Sequence, residues 1–131
     1  MAAINVLALP LAHLVIEVAN NADWIDSLVY LVTTPDSDQP GPQLDLRGIA
    51  FQMHIRRRPE DNEIVLAGST ADGTLSIGPA PNYGYLILSV AEETMRGIWP
   101  GEYVGDVRAS DGRFERVALT IDLTVIEGIT R

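Results

Sequence analysis

Between residues 117 and 125 every second side chain is a large aliphatic: Val117, Leu119, Ile121, Leu123 and Val125 alternate with Ala118, Thr120, Asp122 and Thr124. A period of two puts one set on each face of an extended chain, whereas on a helix residues two apart diverge. The same pattern runs through Ile49, Phe51, Met53 and Ile55, with Ala50, Gln52, His54 and Arg56 between them. Strands with one apolar face must cover it with a second layer. Segments 28–33, 63–67, 74–77, 85–90 and 102–108 supply further strands. Drawn straight, residues 114–129 would span about 50 Å, longer than a small sandwich is tall, so this strand is expected to bend, bulge or overhang.

The intervening residues carry turn chemistry. Asp72-Gly73 and Asp111-Gly112 suit tight hairpins, because Gly accepts positive φ and Asp tolerates it. Residues 59–62 and 79–84 make longer connections, and 34–44, with three prolines and two aspartates, reads as a mobile surface loop. One helical turn is predicted over 91–98, capped by Ser89 with Glu92 as its capping-box partner. Many short strands at close intervals point to an all-β fold, an antiparallel sandwich or small barrel. A length of 131 residues fits a single domain, 1–131.

Residues 4–18 are largely apolar. Nothing basic precedes them, Pro10 interrupts them, and His13 and Glu17 lie inside, so they read neither as a signal peptide nor as a membrane span, which needs roughly 20 apolar residues. Two readings stand: a first core strand, or an extended N-terminal arm over residues 1–12 that docks on a neighbour.

Acidic residues outnumber basic ones 18 to 9, all nine being arginine, and the formal charge of -9 disfavours nucleic-acid and polybasic membrane binding. Zero cysteines exclude disulfides, thiolate zinc sites and thiol nucleophiles. His13 and His54 lie far apart without ligand spacing; Asp36 and Asp38 lack the rest of a calcium loop; adjacent Glu92 and Glu93 do not face one another. No nucleophile elbow, phosphate loop or dinucleotide fingerprint occurs, so no catalytic residue, cofactor or metal is assigned. The candidate interaction residues are Arg56, Arg57 and Arg58, able to clamp a carboxylate or phosphate, and Trp24 and Trp99, each an interface aromatic or a core anchor. The simpler reading of the arginines is a solvated strand end paired with Glu60, Asp61 or Glu63.

In the C-terminal half, Gly101-Glu102-Tyr103-Val104-Gly105-Asp106-Val107 resembles the Gly-x-Tyr-x-aromatic-Asp-Leu/Val strand of small phage and prophage virion proteins with immunoglobulin-like modules. Asp45-Leu46-Arg47-Gly48 is similar to the Asp-Leu-Thr-Gly that opens their central strand, and Phe51 to Arg56 to the alternating strand that follows. Glu93-Thr94 and the closing Ile129-Thr130-Arg131 resemble a recurrent helical turn and a terminal Val-Thr-Arg. The resemblance covers residues 45–131, and Gly105 stands where the pattern has an aromatic. It implies an immunoglobulin-like β-sandwich of about seven strands with one helical turn, in a tail, neck or baseplate. That makes the expected protein non-enzymatic, assembled in the bacterial cytoplasm into a virion, with other virion proteins or copies of itself as partners. Tyr103 is expected to pack inward with its hydroxyl bonded, and Asp106 to anchor a neighbouring backbone or arginine. Two other classes compete: a stand-alone carbohydrate- or surface-binding module using Tyr83 and Tyr85, and a small hydrolase with dispersed carboxylates.

Overall fold

The structure, a computed structural model, describes residues 9–31 and 41–129. Residues 1–8, residues 32–40 (the end of the strand expected at 28–33 and the 34–40 part of the expected loop, with Asp36 and Asp38), and Thr130-Arg131 lie outside the described residues. In chain order the elements are β1 (Ala12–Ala19), β2 (Trp24–Val29), β3 (Ala50–Arg56), β4 (Leu66–Ser69), β5 (Leu75–Ile77), β6 (Tyr85–Val90), α1 (Glu92–Met95), β7 (Gly101–Ser110) and β8 (Glu115–Ile126). The fold is all-β, with eight strands among the described residues where about seven were expected. They form two sheets, β1-β8-β7-β3-β4 and β2-β6-β5. Every pairing is antiparallel except β1 with β8, which is parallel.

One hydrophobic cluster joins the two sheets. All eight residues whose alternation marks them as core, Phe51, Met53, Ile55, Leu86, Leu88, Leu119, Ile121 and Leu123, are buried. Each such side chain contributes about 1.5–3 kcal/mol relative to exposure. Gly105 faces inward between Ile55 and Ile121, and a Cβ there would lie 2.8 Å from the His54 carbonyl oxygen and overlap the Ile55 side chain. An aromatic side chain at this position has no room, and Ile55 fills the space.

The long last strand relieves its length by a break in register. Val107 pairs with Leu119 but Arg108 with Val117, so Ala118 has no partner on β7, and the β1 ladder begins only at Leu119. Ala118 is buried, and the Tyr30 hydroxyl donates a 3.1 Å hydrogen bond to its carbonyl. Burial pushes the Tyr30 phenol up to about 12.

Four local expectations are corrected. The strand expected at 28–33 is β2, four residues earlier. Its inward face carries Trp24, Asp26 and Leu28, and the Asp26 carboxylate that blurs the alternation accepts a 2.8 Å bond from the Trp24 indole N–H. Ser89 does not cap the helical turn, because it is an exposed β6 residue opposite Ile25; Ala91 is the cap, and Asp23 Oδ1 accepts the Glu92 N–H at 2.7 Å. The 41–44 part of the expected mobile loop is tied down, with Leu44 buried and its N–H bonded to the Tyr30 carbonyl at 2.9 Å. Gly73 and Gly112 take positive φ as read, 86° and 88°, but only Asp111-Gly112 closes a hairpin, between β7 and β8; Asp72-Gly73 is corrected to a crossover turn, because β4 and β5 belong to different sheets. Asp72 and Asp111 accept backbone N–H groups across their turns.

Candidate interaction surface

The strand registers bring three separated sequence features to one end of the sandwich. Arg56 pairs with Val104 and Gly101 with Val125, so the end of β3, the start of β7 and the end of β8 lie together. The β1–β2 turn and α1 belong to the same end, because β1 finishes at Ala19 opposite Ile126 and β6 finishes at Val90 opposite Trp24.

Within this end, the corner between β6 and β7 is fixed by its backbone. Met95 and Ile98 are buried, and the Tyr103 hydroxyl donates to the Trp99 carbonyl at 2.5 Å. Asn20 is a bridge: its amide donates to the Ile98 carbonyl at 3.2 Å, its side-chain oxygen accepts the Gly128 N–H at 3.1 Å, and its own N–H reaches the Ile126 carbonyl at 3.0 Å. Asn20 carried no sequence signal. The corner presents Trp99 with 75% of its surface exposed, beside a depression lined by Asn20, Arg96, Gly97, Pro100 and Glu127. Trp24 resolves the other way, as a core anchor 1% exposed.

Arg57 and Arg58 are exposed and Arg56 half-buried on the outer face of β3. None of the three has a carboxylate partner among the described residues. The expected pairing with Glu60, Asp61 or Glu63 does not form. Those residues lie beyond the strand end, in a connection that turns at Arg58 (Asp61 N–H to its carbonyl, 3.2 Å) and returns at Val65 to the Ile55 carbonyl. The Arg57 guanidinium instead lies over the Tyr103 ring, 5.7 Å from its centroid, and so contacts the residue that fixes the Trp99 corner.

Arg56 opens onto a shallow depression on the outer face of the five-stranded sheet, with His54, Asp106, Thr120 and Asp122 on its floor. His13 sits beside it, Nδ1 2.6 Å from Thr120 Oγ1 and Nε2 3.0 Å from Asp122 Oδ2. Asp106 is not the anchor that was expected. It points outward, and its register neighbours are Thr120 and His54 rather than an arginine or a free backbone donor. Among the described residues no cluster of three or more His, Asp or Glu could hold a metal ion.

At the opposite end Asp45, Arg47 and Tyr83 form a clamp. The Arg47 guanidinium forks onto the buried Asp45 carboxylate at 2.6–3.2 Å, and the Arg47 N–H adds a 3.1 Å bond. These hydrogen bonds hold the Asp45 carboxyl well below its usual range, at about 2. Arg47 also covers Tyr83 at 3.9 Å from the ring centroid, so one face of that tyrosine is occupied. Tyr85 is half-buried. No protein-family model matches this chain, and no curated protein sequence matches it.

Proposed function

We propose that the protein is a non-enzymatic structural component of a phage or prophage virion, built on an immunoglobulin-like sandwich and acting through protein–protein contacts. The strand orders support the immunoglobulin-like assignment. Among the described residues the first strand, β1, runs parallel to the last, β8, in one sheet, while β2, β6 and β5 make the other. Tyr103, three residues into its strand after a helical corner, returns its hydroxyl to the backbone four residues upstream, as the tyrosine corner of such domains does. The tail, neck or baseplate role rests on the sequence resemblance over residues 45–131.

The observation that carries the contact function is the Trp99 corner. A large aromatic held out on an immobilised backbone loses little conformational freedom on binding, and such anchors dominate interface energetics. The test is to induce particles from cells carrying the gene in its native genomic setting, purify them, and quantify this chain by mass spectrometry. A fixed number of copies per particle is expected, with a marked loss on Trp99→Ala while the soluble protein stays folded. Absence of the wild-type chain from purified particles would overturn the proposal.

A further inference from the structure

We propose that two copies of this protein join edge to edge through β1, in antiparallel register about a two-fold axis at Val15, merging their five-stranded sheets. This surface is distinct from the Trp99 end and holds whether or not the assembly is a virion. Among the described residues β1 pairs on one side only, with β8. The N–H of Asn20, just past the strand, bonds the Ile126 carbonyl, and backbone direction alternates along a strand. The even residues of β1 therefore face β8, and the odd residues 11, 13, 15, 17 and 19 turn their N–H and C=O groups to the free edge. An uncovered edge is a template for another strand.

The side chains select the partner and the register. The odd residues are outward-facing, with Leu11 60% and Val15 73% exposed. Centring an antiparallel pair on Val15 sets Val15 against its own copy, His13 against Glu17 of the second copy, and Leu11 against Ala19. Centring on residue 14 or 16 instead sets Glu17 against Leu11 or Val15, centring on 13 sets His13 against itself, and centring on 17 sets Glu17 against itself. Like charges directly opposite are destabilising. Only the Val15 register pairs the acid with the base, and His13 is held in place by Thr120 and Asp122 on its own sheet. The same register serves the inner face. Leu14, Ile16 and Val18 are only partly buried against the core, and it places Leu14 opposite Ile16 and Ala12 opposite Val18 as close, non-hydrogen-bonded pairs. One strand sequence is thus self-complementary on both faces, as an isologous interface requires.

The test is sedimentation velocity on the whole chain over a wide concentration series, with thermal unfolding of each variant as a fold control. Wild type is expected to show a monomer–dimer equilibrium. Val15→Glu and Val15→Arg each place like charges on the axis and should weaken self-association at least tenfold. Mixed together, they should form a heterodimer at least as tight as wild type. Ile25→Glu, on β2, which pairs only with β6 among the described residues, should leave dimerisation unchanged. A wild type that stays monomeric throughout, a mixture that fails to associate, or a dimer lost with Ile25→Glu and kept with Val15→Glu would each overturn the proposal.

Discussion

Two tyrosines in this fold donate to backbone carbonyls, and removing each hydroxyl should cost different amounts for a reason visible in the structure. Tyr30 is 3% exposed and its acceptor, the Ala118 carbonyl, belongs to a fully buried residue at the register break, with no partner on β7. Tyr30→Phe removes a buried hydrogen bond that water cannot replace, a loss of about 1.5 kcal/mol, the upper end for a single neutral hydrogen bond. Tyr103 donates to the Trp99 carbonyl at an exposed corner, where water can replace it, so Tyr103→Phe should cost only about 1 kcal/mol. For a domain of this length each kcal/mol is worth roughly 4 °C in melting temperature. Urea titration with matched m-values measures the two losses directly. An independent signature lies at alkaline pH. The Tyr30 phenol titrates near 10 when unfolded and at about 12 when folded. The unfolded chain therefore ionises first, and stability falls as pH rises from 10 toward 12, a slope that Tyr30→Phe should flatten. A Tyr30→Phe variant as stable as wild type, or less affected than Tyr103→Phe, would refute the assignment of the bulge carbonyl to this hydroxyl.

Three further outcomes are expected. Gly105→Ala should destabilise by about 1–3 kcal/mol in urea titrations, because the new Cβ meets the His54 backbone oxygen as well as the more movable Ile55. Asp45→Asn should flatten the acid limb of the stability curve. The native carboxyl titrates at about 2 against 3.8 unperturbed, so it stabilises the fold above 3.8 and loses that contribution as pH falls toward 2, which thermal melts across this window will show. Trp99→Ala should change stability by no more than about 0.5 kcal/mol, because the ring lies mostly in solvent; a larger loss in a denaturant titration would make it a packing residue.

How much of this was legible in the sequence depended on whether a residue's environment was written in its neighbours two positions away. The strands β3 and β8 were, because their inward positions are uniformly apolar: Phe51, Met53 and Ile55, and Leu119, Ile121 and Leu123. β2 was not, because its inward face includes Asp26, whose partner is the indole of Trp24, and a polar group satisfied inside a strand looks from sequence like the end of one. The bulge was foreseeable from the length of residues 114–129, yet its position was not, since nothing local to Ala118 announces that a hydroxyl 88 residues earlier will satisfy it.

The same reasoning separates what the interaction residues could and could not reveal. The identities of Trp24 and Trp99 are equal in sequence, and only the opposite fates of their backbones distinguish them. Trp24 opens a strand whose first inward position points between the sheets, whereas Trp99 follows buried Ile98 and immediately precedes Pro100, so the chain has spent its inward position one residue earlier. The arginine run has a comparable logic. Alternation along β3 turns Arg56 to the outer face, the strand ends there, and Arg57 is left over the ring of Tyr103, the residue that pins the Trp99 carbonyl. A cation and an exposed indole thus meet through one tyrosine, although 42 residues separate them in the chain. That convergence is a product of the β3–β7 register, in which a shift by one residue would send Arg56 inward and destroy the surface.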